Sequence, residues 1–313
     1  QLNNSNSSVD SLAEGEIIYD HFLLTLTSHS VNSEESYDTV HEQPLVIEIL
    51  GTNDQPVIET VSLIEGSVIE SGLDIGHDVV GENAYASGTL ISSDVDNHST
   101  ANWSIEGTST GTYGSISIDQ STGEWTYTLA NSDPITDSLD LGDSVIETFT
   151  ARVTDDNDAY VDQTIHISIT GSNDRPVITS YVLGSATESG NFDNGDIDAG
   201  IASINGFLSS SDPDIDSLVT WSIDGTTDGV SAGIYGSIHV SPDGNWSYSL
   251  DNSFIATQQL SEGQSVTDSF TVTVTDEFGA TDTQTVVVAI NGTNDAPVIS
   301  PGSSYTEFLD GTV

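Results

Sequence analysis

The chain has 313 residues, with 50 Asp and Glu against 2 Lys and Arg, neither Cys nor Met, and a formal net charge of −48. That balance excludes binding along the phosphate backbone of nucleic acid, which needs Lys and Arg to displace counterions, and it disfavours adhesion to an anionic membrane surface. The absence of Cys excludes a disulfide framework, and no apolar run of about 18 residues marks a membrane span or a signal peptide. In chain order, the Asn/Ser-rich start from Gln1 to Ser8 is expected to be mobile. Residues 1–50 then read as the back half of a recurring unit. Leu12 and Gly15 stand like Leu139 and Gly142 and like Leu260 and Gly263, and Phe22 stands like Phe149 and Phe270. Gly15 to Gly51 spans 36 residues where Gly142 to Gly171 spans 29, so this first copy carries an insertion.

The unit itself follows. Gly51-Thr52-Asn53-Asp54-Gln55-Pro56-Val57-Ile58 returns as Gly171-Ser172-Asn173-Asp174-Arg175-Pro176-Val177-Ile178 and again as Gly292-Thr293-Asn294-Asp295-Ala296-Pro297-Val298-Ile299, at spacings of 120 and 121 residues. Between these marks Glu70-Ser71-Gly72 answers Glu188-Ser189-Gly190, and Trp103-Ser104-Ile105 answers Trp221-Ser222-Ile223. Tyr113-Gly114-Ser115-Ile116 answers Tyr235-Gly236-Ser237-Ile238, and Trp125-x-Tyr127-x-Leu129 answers Trp246-x-Tyr248-x-Leu250. Self-similarity at a fixed period marks repeated modules. The predicted organisation is a partial repeat over 1–50, complete repeats over 51–170 and 171–291, and a linker with the start of another repeat over 292–313. A chain that opens on Gln1 and stops inside a repeat reads as a slice of a longer array, or as a subunit completed by neighbours.

Periodicity predicts β-structure throughout. Trp125, Tyr127 and Leu129 alternate with polar residues, as do Phe149, Ala151 and Val153, and Phe270, Val272 and Val274. Such alternation is the mark of a strand with one buried face. Short strands separated by Asp-Gly, Asn-Gly and Ser-Gly turns, in units of about 120 residues, predict Greek-key β-sandwiches in tandem, with the four Trp in the cores. No segment shows a helical period.

The acidic residues recur in three groups. Asn-Asp pairs close each unit: Asn53 and Asp54, Asn173 and Asp174, Asn294 and Asp295. Asp-x-Asp steps follow, at Asp94 and Asp96 and at Asp212 and Asp214, and Asp155 and Asp276 end the penultimate strands. The last strand of a unit runs to the linker, so its antiparallel predecessor ends at the opposite pole, where the preceding linker arrives. This topology brings the three groups to one junction, with Glu70 and the loop at Asp140 and Asp143 able to contribute from the pole of the unit above. Clustered carboxylates repel unless a cation neutralises them, and all-oxygen sets of this kind suit Ca²⁺ better than Mg²⁺. Singly, each motif is also an ordinary turn former.

Together, the Gly-Thr-Asn-Asp-x-Pro-Val linkers, the Ser-Asp-x-Asp steps, Tyr-Gly-Ser-Ile, Gly-x-Trp-x-Tyr-x-Leu and Leu-x-x-Gly resemble the VCBS repeat, a cadherin-like module found in tandem in large bacterial surface proteins, including RTX-type adhesins. The resemblance covers residues 51–300 well and 10–50 in part. The linker is also similar to the Asp-x-Asn-Asp-Asn-x-Pro of cadherins, with Gly51, Gly171 and Gly292 where cadherins place the first Asp. The resemblance implies an extracellular, calcium-rigidified spacer of a secreted cell-surface adhesin that mediates attachment and biofilm formation, not an enzyme. Its contacts would be with adjacent repeats of its own chain, and with a host or surface glycan or protein through regions outside residues 1–313. It implies Asn173, Asp174, Asp212, Asp214 and Asp276 as ligands at one junction and Asn53, Asp54, Asp94, Asp96 and Asp155 at another. Ser28 replaces the strand-end Asp in the partial repeat. The RTX glycine-rich nonapeptide is absent.

Two alternatives stay open: a self-assembling extracellular filament completed by strand exchange between copies, and a carbohydrate-binding module or hydrolase. Gly107-Thr108-Ser109-Thr110-Gly111 has the form of a nucleophile elbow, but no helix is predicted after it and Ser109 is not reproduced in the second unit, so it reads as a turn. The seven His have no zinc spacing.

Overall fold

The computed structural model describes residues 2–31, 33–74, 76–81, 84–180, 183–192 and 194–297. The expected start of a further repeat falls, beyond Pro297, outside the described residues. The chain divides into two compact units, Gln1–Asp74 with Asp78–Ser172, and Ile75–His77 with Asn173–Val313.

The first unit opens on a single helical turn, Ser7–Asp10, inside the Asn/Ser-rich start, with the Asn6 side chain accepting from the Ser8 amide. A turn of this length leaves no helical period to read in sequence. Strands β1 (Ile17–Val31) and β2 (Ser36–Leu50) follow as an antiparallel ribbon, Ile17 opposite Leu50 through Val31 opposite Ser36. The extra residues of the first copy lengthen this hairpin: its counterpart in the next repeat closes at Thr154 opposite Tyr160.

The rest of the unit is a β-sandwich. One sheet runs in the order 65–69, 160–170, 144–154, 102–106, with a parallel pairing only between Glu65–Ile69 and Tyr160–Thr170. The other runs 114–118, 124–129, 85–89. Trp125, Tyr127 and Leu129 point inward between exposed Glu124, Thr126 and Thr128, and meet Phe149, Ala151, Val153, Ile165, Ile167 and Ile169 from the facing sheet. All four tryptophans are buried, as their strand positions predict. Gly88 lies opposite Trp125 in the ladder, and a Cβ there would sit 2.6 Å from the indole ring, so only glycine leaves the ring its place.

The second unit repeats the plan. One sheet is ordered 183–187, 281–291, 265–275, 220–223 and the other 203–207, 245–250, 236–240, 230–232. Its core is built from Trp221, Ile238, Trp246, Tyr248, Phe270 and Ile290 with their neighbours.

Candidate metal centre

In the first unit, a two-residue pairing assembles the site. Val57 lies opposite Ser93 and Ile58 opposite Ser92, which lays the preceding linker against the Asp94–Asp96 loop. The Asp54 amide donates to Asp96 Oδ2 at 2.7 Å, and the Asp96 amide donates to Asp94 Oδ1 at 3.0 Å. From the strand end, Asp155 closes its own turn by accepting the amides of Asn157 and Ala159 at 2.8 and 2.9 Å on Oδ1. Asn53 Nδ2 donates to Asp155 Oδ2 at 2.9 Å, and Asn53 Oδ1 accepts from Asn157 Nδ2 at 2.9 Å. Asn53, Asp54, Asp94, Asp96 and Asp155 therefore meet at one end of the sandwich.

The second unit makes the same contacts. Val177 and Ile178 pair with Ser211 and Ser210. The Asp174 amide donates to Asp214 Oδ2 at 2.7 Å, the Asp214 amide to Asp212 Oδ1 at 3.2 Å, and Asn173 Nδ2 to Asp276 Oδ2 at 2.9 Å. Asp276 accepts the amides of Phe278 and Ala280.

The oxygens of these clusters are not equally engaged. Asp155 spends both on three donors. Asp94 Oδ2 and Asp96 Oδ1 are buried and have no hydrogen-bond partner. Buried carboxylate oxygens without donors carry a desolvation cost that a cation offsets. Burial pushes the Asp96 carboxyl above its ordinary range, against the hydrogen bond from the Asp54 amide, and the charges of Asp54, Asp94 and Asp155 push it further up. Asp212 is raised by burial first, with Asp276 and Glu277 adding and the bonds from Ser217 and Asp214 opposing. Hard oxygen donors crowded by like charge, with the Asp94 and Asp96 oxygens of the first unit unpartnered, fit Ca²⁺.

A second acidic position lies at the opposite pole. Glu70 is fully buried and accepts the Ser172 amide at 3.2 Å and the Ser172 hydroxyl. Asp137 brings a carboxylate oxygen within 4.8 Å of it. Asp140 turns back onto the Leu141 amide at 2.7 Å. In the second unit Glu188 takes the place of Glu70, fully buried, accepting the Thr293 amide at 3.4 Å and leaving Oε1 buried without a partner. Burial raises its pKa, with the Asp295 charge adding and the Thr293 bond opposing. Asn294 sits beside it, its carbonyl accepting the Asn191 amide at 2.6 Å. Sequence reading passed over Glu188 and Asp137. The recurring Glu-Ser-Gly was signal enough for the first, whereas Gln258 at the Asp137 position hides the second.

The nucleophile-elbow pattern lies in a turn, with Gly107 at φ +79° and Ser109 O accepting the Ile116 amide, and the strand Gly114–Ile118 follows it.

Residues 173–292 match the bacterial cadherin-like domain. The chain is built of tandem cadherin-like β-sandwiches. Among solved structures it is similar to PcdhgB3 EC1–4, at 11% identity over 90% of this chain and 73% of that one, with a TM-score of 0.46. It is similar to mouse cadherin-23 EC22–24 at 16% identity over 86% and 74%, TM-score 0.41, and to protocadherin gamma B7 extracellular cadherin domains 1–4 at 15% over 88% and 73%, TM-score 0.40. No curated protein sequence matches the chain. Among the described residues no helix is long and apolar enough to cross a membrane.

Proposed function

We propose that this chain is a calcium-bound spacer of an extracellular adhesin, with one half repeat over 1–50, complete repeats over 51–170 and 171–291, and a further start over 292–313. Cadherin-like domains are adhesive, extracellular modules, and the match over 173–292 supports that setting. The observation that carries the reading is the pair of buried, unpartnered oxygens on Asp94 and Asp96, beside Asp54 and Asp155 in a chain of net charge −48.

Asp54, Asp94 and Asp96 would hold the ion in the first unit, with Asp174, Asp212 and Asp214 in the second. Asn53 and Asn173 hold the strand-end carboxylates of Asp155 and Asp276 in place. Bound calcium supplies the positive charge that lets these carboxylates stay ionised together. With the cluster neutralised, each Asn-Asp-x-Pro linker is pinned at Asp54 and Asp174, and Pro56 and Pro176 fix the backbone that follows. Ordered linkers stiffen the array and hold an adhesive tip away from the cell.

Calorimetric melting in EGTA and in millimolar Ca²⁺ tests this. One site held at 100 times its Kd adds about 2.7 kcal/mol. A rise in Tm with Ca²⁺ that Mg²⁺ at equal ionic strength does not reproduce, and that Asp94→Asn with Asp96→Asn reduces, supports the reading. Equal shifts from any salt would mean screening alone and would overturn it.

A further inference from the structure

The frame around the β1–β2 ribbon has a counterpart at the back of both complete repeats. A helical turn, Ser7–Asp10, precedes buried Leu12 as the turn Ile255–Gln258 precedes buried Leu260. The Gly51 amide donates to Glu16 O at 2.8 Å, as Gly171 does to Asp143 O at 3.0 Å and Gly292 to Gln264 O at 2.9 Å. Phe22 lies opposite Leu45 as Phe149 lies opposite Ile165 and Phe270 opposite Val286. One face of the ribbon is therefore a core face. In the complete repeat Phe149, Ala151, Val153, Ile165 and Ile167 are at most 6% exposed. Their counterparts Phe22, Leu24, Leu26, Leu45 and Ile47 are 41–67% exposed.

Asp20 makes the match specific. Its counterparts Glu147 and Asp268 are buried inside the sandwiches. Glu147 accepts the Tyr127 hydroxyl at 2.7 Å and the Tyr113 amide at 2.9 Å; Asp268 accepts the Tyr248 hydroxyl at 2.8 Å and the amides of Ile234 and Tyr235. All these donors come from the front half of the same repeat. Asp20 lies exposed on the ribbon's core face. Pro44, which has no amide to donate, also fits. It stands where Thr164 does, two residues before the His166 position at which the parallel pairing to Glu65–Ile69 begins.

We propose that the ribbon is the back half of a cadherin-like sandwich and docks the front-half strands of another such repeat, carried on polypeptide outside residues 1–313. Its occupant adds an antiparallel strand along Leu23–Thr27, a parallel strand along Val46–Leu50, and a Trp-x-Tyr-x-Leu strand whose tyrosine hydroxyl meets Asp20. Among the described residues, the two complete front halves are already paired to their own back halves, through Asn102–Glu106 and Thr220–Ile223, so neither is free for a second copy.

The test mixes the full chain with residues 51–129 as a separate polypeptide and reads amide exchange by mass spectrometry. A 1:1 complex that slows exchange at Leu23–Thr27 and Val46–Leu50 by about tenfold or more, leaving the tip at Ser30–Tyr37 fast, is expected. Asp20→Ala should weaken the complex about tenfold, which is the loss of a charge-assisted bond, and Asp38→Ala at the tip should not. Because the added polypeptide can misfold alone, residues 51–128 are also fused ahead of Leu2, which stands where Leu129 does, and the same protection must appear there. Unchanged exchange in the fusion overturns the proposal. So does protection of the core face in the free chain that grows with its concentration, which would place a second copy there.

Discussion

Asn53 Nδ2 reaches Asp155 Oδ2 at 2.9 Å across 102 residues of sequence, and Asn173 repeats the bond to Asp276 at the same distance. The amide ties the linker to the strand end and gives a buried carboxylate its third donor. Hydrogen bonds to charged groups contribute about 1.5–3 kcal/mol, so Asn173→Ala should lower the unfolding free energy in EGTA by about that amount. Asn173→Asp should cost more, because it adds a charge to a cluster that already raises the Asp212 carboxyl. Urea unfolding should rank wild type above Ala and Ala above Asp in EGTA, with calcium narrowing the deficit of Asp. A neutral Asn173→Asp in EGTA would show that the cluster is already well solvated.

Tyr127 and Tyr248 each bury a hydroxyl against a core carboxylate, and burial followed by the bond to Glu147 or Asp268 raises both pKa values well above 10. A raised pKa on such a group contributes stability below pH 10 that is lost as the pH climbs above it. In a spectrophotometric titration of the 10 tyrosines, two should ionise only as the protein unfolds. Tyr248→Phe should cost about 1–3 kcal/mol, since Asp268 stays buried with one donor fewer. All ten titrating together near pH 10 would remove the buried bond.

The all-β plan, the buried tryptophans and the meeting of linker, Asp-x-Asp and strand-end carboxylates were legible in sequence, because alternation fixes the buried face and antiparallel order fixes the pole. The Tyr–carboxylate bonds were not: Glu147 and Asp268 differ in residue type, so a search for identical positions passes over them, and their burial depends on a strand from the facing sheet. The Asn53 amide nitrogen points at Asp155, a direction that sequence does not encode. The insertion in the first copy was visible as a length difference, yet only the register shows that it lengthens the hairpin beyond Thr27 opposite Val40.

Gly88 and Gly206 face the indoles of Trp125 and Trp246, with a Cβ placed 2.6 Å from ring atoms at both. The Trp125 ring has no slack, being fully buried with Nε1 donating to Leu63 O at 2.8 Å. Gly88→Ala should therefore cost about 1–3 kcal/mol by overpacking, and should disturb the near-ultraviolet circular dichroism of the indoles. An unchanged spectrum and midpoint would mean that the ring is free to shift.

Acid should act on this protein in opposite directions with and without calcium. Asp96, Asp212 and Glu188 all have raised pKa values, from ordinary values of 3.8, 3.8 and 4.5, each mainly through burial. A carboxyl raised in the folded state holds its proton more tightly there than in the unfolded chain, so it contributes stability at low pH that is lost as the pH rises through the folded value. In EGTA, Tm should therefore rise as the pH is lowered from 7 toward the carboxylate range. It should fall again once the carboxyls held low by hydrogen bonds, Asp119 and Asp162 among them, take up protons. In saturating calcium the first rise should vanish, because protons and calcium compete for the same oxygens and metal affinity drops as the pH falls. Asp96→Asn removes one charge from the buried group without changing its size, so in EGTA it should raise Tm at pH 7 and flatten the climb, while in calcium it should lower Tm. Differential scanning calorimetry of the variant across pH 4 to 8 in both conditions decides the matter. The same sign of effect for Asp96→Asn in EGTA and in calcium would show that the Asp96 carboxylate is not where the ion binds.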